Sequence, residues 1–274
     1  MVTIEVKNLN IEEVLFSGAC FRAVKEDDGS ITNILKDRVI NIKQLGNKLI
    51  VNSSNYYNIE KIICEYFDLN RDYDSINKEL VCRNKDLKNM INSCTNYKIL
   101  NQDSFEMGIS YIISQNNNVK RISKIINDIS YCYGKKITFN NKDYYLFPTY
   151  EELKNIKLED LSKFKLGFRD KYIIDYINHY EELEDLDKLE TDKALEKLIS
   201  IKGIGLKVAS CILLFGYKRL DVFPIDTWVK KYMSDNYHLN NDIKKIKDYS
   251  YEHYHPYEGL VIQYMFHKER NVNK

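Results

Sequence analysis

Proline is scarce in this chain, with three residues in 274, all beyond position 147, and glycine is little commoner at ten. So few chain breakers exclude a Pro/Gly-rich linker or low-complexity architecture, and no internal repeat is visible. The six cysteines (20, 64, 82, 94, 132 and 211) are scattered, with no C-x-x-C pair and none after Cys211. This excludes a zinc or disulfide framework and a C-terminal four-cysteine iron–sulfur loop. The five histidines show no metal-ligand spacing, His253-x-His255 reading as a surface loop. The opening Met-Val-Thr-Ile-Glu-Val-Lys has no apolar signal core, and the apolar runs are too short to span a bilayer. A cytoplasmic protein of bacterial type is therefore expected, with no membrane partner. Nor is there an excess of one charge. The net value is +1, so the molecule is no basic glove for a polyanion.

What is present is a local contrast. Residues 202–231 carry six basic and two acidic side chains, whereas 181–192 carry seven acids and one lysine. A concentrated positive patch on a neutral body suits gripping a few phosphates, although two oppositely charged solvated faces would look the same.

Within the basic stretch lies the most informative segment, Leu198-Ile-Ser-Ile-Lys-Gly-Ile-Gly-Leu-Lys-Val-Ala209. One helix stops at a turn containing Gly203 and Gly205, and a second begins at once. Glycines let backbone approach another surface closely, and a helix start offers free N–H groups to phosphate. Lys207 sits just inside the second helix, and Asp226 follows Phe223-Pro224-Ile225. A lysine attacks carbon only as its free amine, a form favoured by desolvation and neighbouring positive charge. Cys211, one helical turn beyond Lys207, shares its face. Each residue has a plainer reading: Lys207 as a phosphate contact, and Asp226 as a helix N-cap.

The surrounding chain divides near residue 95. Before it, 2–6, 20–24, 31–35, 39–42 and 48–52 read as short alternating strands. Turns at Asp28-Gly29 and Gly46-Asn47 separate them, and helices follow at about 57–69 and 72–93. After it, helical patterns succeed one another at about 103–114, 118–133, 170–182, 191–200, 206–216, 226–235 and 256–269. The expectation is an α+β fold. An antiparallel-sheet domain (1–96) precedes an all-α domain (97–274) of two helical lobes with the active-site cleft between them.

The hairpin with Lys207 and Pro224-Ile-Asp226 resembles the helix-hairpin-helix, Gly-Pro-Asp superfamily of DNA base-excision glycosylases. Ser17-Gly-Ala-Cys-Phe-Arg22, Ser114-Gln-Asn-Asn-Asn-Val-Lys-Arg121, Leu166-Gly-Phe-Arg169 and Tyr257-Glu-Gly-Leu-Val-Ile-Gln-Tyr-Met-Phe266 are similar to elements of its 8-oxoguanine DNA glycosylase branch. The matches keep their order over about 18–266. The resemblance implies a bifunctional glycosylase and AP lyase acting on double-stranded DNA containing 8-oxoguanine, as a monomer and without a cofactor or metal. Lys207 would be the nucleophile and Asp226 the stabiliser of the cationic sugar. Asn116 would fill the gap left by the flipped base, Arg121 and Arg169 would face the orphaned base, and Phe168 would wedge into the stack. Gly203, Gly205 and Val208 would offer backbone N–H groups to phosphate. The Gly18 carbonyl would accept the N7–H that distinguishes the lesion from guanine, and Cys211 and Phe266 would sandwich it.

Departures from the family pattern accompany the matches. Ile262 stands where the branch usually has a base-reading Gln, with Gln263 beside it and about 100° round a regular helix. Ala19 and Ala23 replace the usual Gln and Trp, and Trp228 stands where animal members often have His, which bears on the opposite-base rule. Two rivals remain at this stage: a monofunctional alkylated-base glycosylase of the same superfamily, which typically lacks a lysine at 207, and a non-catalytic DNA-binding protein.

Overall fold

Two tight turns set the register of the amino-terminal sheet. In the computed structural model, which describes residues 1–94 and 96–272, Gly46 has φ +57° and closes a hairpin between Arg38–Leu45 and Lys48–Ser53. The half is built from β1 (Val2–Glu5), α1 (Ile11–Leu15), β2 (Val24–Lys25), β3 (Ile31–Leu35), β4 (Arg38–Leu45), β5 (Lys48–Ser53), α2 (Ile59–Tyr66), α3 (Tyr73–Arg83) and α4 (Leu87–Asn92). The strands form one antiparallel sheet in the order β1-β5-β4-β3-β2. Val39 and Ile40 point to opposite faces yet both are wholly buried, so the middle of the sheet is covered on both sides. Each such side chain contributes about 1.5–3 kcal/mol by leaving water.

The body follows as α5 (Ser104–Ser114), α6 (Val119–Tyr133), a small hairpin β6–β7 (Lys136–Phe139, Lys142–Tyr145), α7 (Tyr150–Leu153), α8 (Leu158–Ser162), α9 (Arg169–Asn178), α10 (Thr191–Ile199), α11 (Leu206–Gly216), α12 (Thr227–Tyr237), α13 (Ile243–Tyr254) and α14 (Glu258–Val272). Helix α5 is the axis: every residue from Phe105 to Ile113 is buried. Gly108 lets α9 approach it, since a Cβ there would lie 2.1 Å from the Tyr176 ring. Helix α11 packs along the same axis, with Val208–Phe215 all buried. Among the described residues no helix is long and apolar enough to cross a membrane.

Several expected elements differ. Residues 20–23 are a bend rather than a strand, and β2 begins only at Val24, because Cys20, Phe21 and Arg22 turn inward toward α5. The single helix expected over 72–93 breaks at Asn84, whose side chain accepts from the Asp86 N–H and starts a new turn. Helices α1, α7, α8 and α13 and the β6–β7 hairpin are additional to the expectation.

Candidate active site

The Gly-x-Gly turn assigns different tasks to its two glycines. Gly203 has φ +87°, and a Cβ on it would lie 2.0 Å from the Tyr172 ring, so both conformation and packing require glycine. Gly205 is the N-cap of α11 in ordinary extended geometry (φ −94°), and a Cβ on it would meet nothing within 4 Å. No side chain caps this helix, and Ala209 N–H is the first to bond back, to the Gly205 carbonyl at 3.0 Å. The N–H groups of 206–208 therefore lead the helix at the positive end of its dipole, with no side chain capping them.

Lys207 stands one residue inside that start and lines a cavity of about 170 Å³. Its Nζ lies 5.4 Å from the Tyr111 ring centroid, and its charge acts on the Cys211 thiol one turn along the helix. Burial pushes the Cys211 thiol above its ordinary range, and Lys207 offsets this only in part, so the sulfur faces the cavity as a neutral thiol. Asp226 also lines the cavity. It is the α12 N-cap as well: Oδ1 accepts from Val229 N–H at 2.9 Å. The plain N-cap reading thus holds for a residue that also borders the cavity.

The opposite wall comes from the sheet half. Ser17, Gly18 and Ala19 line the cavity in a tight turn, with Gly18 at φ +100° and open space where a Cβ would be. The turn is pinned from both ends. Ser17 Oγ donates to the Val14 carbonyl at 2.9 Å, and Gln102 Nε2 donates to the Ala19 carbonyl at 3.0 Å.

Helix α14 closes the cavity with Gln263 and Phe266. Gln263 is held by Tyr97, whose hydroxyl donates to its Oε1 at 3.2 Å. Ile262, expected in the base pocket, is wholly buried in the core and does not line the cavity. The helix presents its 263 face here, which moves the amide one position along the chain. Trp228, expected at the DNA, stacks within an aromatic cluster. It lies between Phe266 (centroids 4.2 Å apart, 24° between planes) and Tyr232 (5.2 Å, 28°).

The second cluster lies at the α5–α6 turn. Asn116 is exposed with φ +48°. Its neighbours are structural: Asn118 caps α6 through a 3.0 Å bond from Arg121 N–H, and Asn117 Nδ2 donates to the Ile113 carbonyl. Phe168 is 49 % exposed, and Arg121 is exposed with Nη2 donating to the Lys165 carbonyl. Arg169 is buried and donates to the carbonyls of Gln115, Asn116 and Leu166, so its guanidinium ties these two turns together.

Two family models match in tandem: the 8-oxoguanine DNA glycosylase N-terminal domain over residues 1–107, and the HhH-GPD superfamily base excision DNA repair protein over 109–252. The chain belongs to the 8-oxoguanine DNA glycosylase branch of the HhH-GPD superfamily. A probable N-glycosylase/DNA lyase of Methanothermobacter thermautotrophicus is 30 % identical over 77 % of this chain and 74 % of its own. The Clostridium acetobutylicum 8-oxoguanine glycosylase/lyase aligns in two crystal structures. Its apo form is 35 % identical with a TM-score of 0.90, covering 96 % of this chain and 94 % of that one. Its complex with double-stranded DNA containing cytosine opposite 8-oxoguanine is 33 % identical with a TM-score of 0.91, covering 100 % and 99 %. The cavity residues absent from the motif-based expectation are Ser17, Ala19, Tyr111, Phe215 and Pro224. Pro224 was legible beside Asp226, whereas Tyr111 and Phe215, buried on two helices, carry no signal apart from core.

Proposed function

We propose that this chain is a bifunctional 8-oxoguanine DNA glycosylase and AP lyase, acting as a monomer of two parts, 1–96 and 97–274, on duplex DNA. The observation that carries the reading is the meeting of Lys207, Asp226 and Gly18 around one cavity, beside an uncapped helix start.

The backbone at Gly205–Val208 binds a phosphate flanking the lesion, and the damaged nucleotide is extruded, since C1′ is shielded inside a duplex. Asn116 and Phe168 enter the vacated space, and Arg121 faces the orphaned base. The lesion lies between the Cys211 thiol and Phe266, with Trp228 backing the latter. The Gly18 carbonyl accepts the N7–H of 8-oxoguanine. Guanine would set an acceptor against it, leaving both unpaired. Gln263 supplies the amide donor and acceptor on the remaining edge.

Lys207 Nζ, as free amine, bonds to C1′ as the base leaves with the glycosidic electron pair. Asp226 opposes the positive charge that develops on the sugar. The proton shed by the attacking amine passes to the departing base, and the C1′–O4′ bond then breaks to open the sugar as a Schiff base. Loss of the C2′ hydrogen that this activates expels the 3′ phosphate and nicks the strand. Borohydride trapping tests this. A covalent adduct with an 8-oxoguanine duplex that disappears in Lys207→Gln is the expected result. An intact abasic product without adduct from wild type would instead identify a monofunctional enzyme.

A further inference from the structure

Gln115 has no part in the chemistry above, although it stands between the gap-filling loop and the catalytic hairpin. It ends α5, and its side-chain amide donates twice, to the Ile112 carbonyl at 3.2 Å and to the Gly203 carbonyl at 3.1 Å. Its own carbonyl accepts from Arg169 Nε at 2.8 Å, and Arg169 Nη2 reaches on to the Asn116 carbonyl at 3.0 Å.

From Arg169 the contacts continue. The guanidinium lies 4.5 Å from the Phe168 ring centroid, Phe168 meets Tyr172 edge to face at 5.6 Å, and the Tyr172 ring packs on Gly203. The path closes on itself, joining three segments remote in sequence: the Asn116 turn, the Phe168 turn and the hairpin.

Burying a guanidinium is unfavourable without a counter-charge. Arg169 forms no ion pair among the described residues, and burial together with the nearby Arg121 draws it below its ordinary range. Three carbonyls offset this, and those carbonyls belong to the two turns that carry Asn116 and Phe168.

We propose that Gln115 is a positioning residue. It fixes the group that fills the DNA gap at a set distance from the hairpin that carries Lys207, so that base extrusion and presentation of C1′ occur as one event. The inference rests on the functional reading above. Only a primary amide fits: both hydrogens are donated to carbonyls, Glu would set a carboxylate against the same two oxygens, and Leu has the shape without the donors.

The test is a double-mutant cycle of Gln115→Leu with Asn116→Ala, read as single-turnover excision from an 8-oxoguanine duplex. Gln115→Leu alone should slow excision about tenfold, the scale of a lost neutral hydrogen bond. In the Asn116→Ala background its further effect should fall within about twofold, because the group it positions is gone. The same factor in both backgrounds, or no effect in either, would overturn the proposal. Thermal melts of all four proteins separate coupling from loss of fold. If wild type forms no borohydride adduct, the functional reading fails on its own, and the cycle is then read from base extrusion by 2-aminopurine fluorescence. Failure of wild type to extrude the base would end both.

Discussion

Trp228 lies flat on Phe266, with ring centroids 4.2 Å apart and only 24° between planes. It is also the only tryptophan in the chain. A base stacked on the cavity side of Phe266 therefore alters the surroundings of the sole indole. In the Lys207→Gln background, which on the proposed mechanism should not turn over, a lesion-containing duplex should quench tryptophan emission beyond the effect of undamaged duplex. Adding Phe266→Ala should abolish that difference.

The double engagement of Asp226 allows its charge to be separated from its cap. Asn is as good an N-cap as Asp, so Asp226→Asn should keep thermal stability within about 0.5 kcal/mol. Excision should nonetheless fall by about 10²–10³, the scale of removing one preorganised electrostatic partner. A rate close to wild type would show Asp226 to be only a cap.

The two hairpin glycines should respond unequally to alanine. Gly203→Ala meets both a left-handed backbone and the Tyr172 ring, and should destabilise by about 3 kcal/mol or more in denaturant melts. Gly205→Ala fits its space and should lose only about 1 kcal/mol as a poorer cap. Its new methyl would stand in the phosphate's approach, so DNA affinity should drop while the fold persists.

Helix α14 should show the same division at adjacent positions. Ile262→Ala removes a wholly buried side chain and should cost about 2–5 kcal/mol of stability. Gln263→Ala removes the acceptor of the buried Tyr97 hydroxyl and should cost less, about 1–3 kcal/mol, while reducing discrimination between 8-oxoguanine and other oxidised purines in competition assays.

A larger hollow, about 440 Å³, lies between the sheet and α5 and contains Arg22 and Glu106 rather than the hairpin. Burial lifts the Glu106 carboxyl from 4.5 to about 7, and Arg22, 3.9 Å away, only partly restrains it. A raised carboxyl favours the protonated form in the fold. Its contribution is full below about pH 4.5, declines as pH rises to about 7, and is constant above. Glu106→Gln mimics the protonated state, so the variant should gain on wild type over that window, by at most about 3 kcal/mol. Unfolding of both proteins at pH 5 and pH 8 measures the gap, and an equal gap would show that Glu106 does not titrate there.

Residues whose chemistry and conformation agree were readable in the sequence. Gly203, Lys207, Cys211 and Asp226 sit in a local pattern whose spacing alone places them, and β3–β5 alternate between turns whose glycines take positive φ. Legibility failed where distant contacts decide. Cys20–Arg22 alternate like a strand but turn into the core against α5. Helix α13 buries only Ile246, Ser250 and Tyr254, one residue per turn, too thin a stripe to stand out among lysines and tyrosines. The β6–β7 hairpin turns on Asn140-Asn141, both at positive φ, a signal that was present beside two short, half-exposed strands. Arg169 shows the limit most clearly, since nothing local to it reveals that a turn 53 residues upstream supplies its acceptors.

One wall of the cavity is a three-residue turn, Ser17–Ala19, held to the body through Gln102. Lys207 and Asp226 come from elements that this turn does not build. On the proposed reading, the contact that singles out the lesion's N7–H and the amine that breaks the bond therefore sit in separate pieces of chain. Altering this one short loop should change which base is admitted while the amine stays where it is.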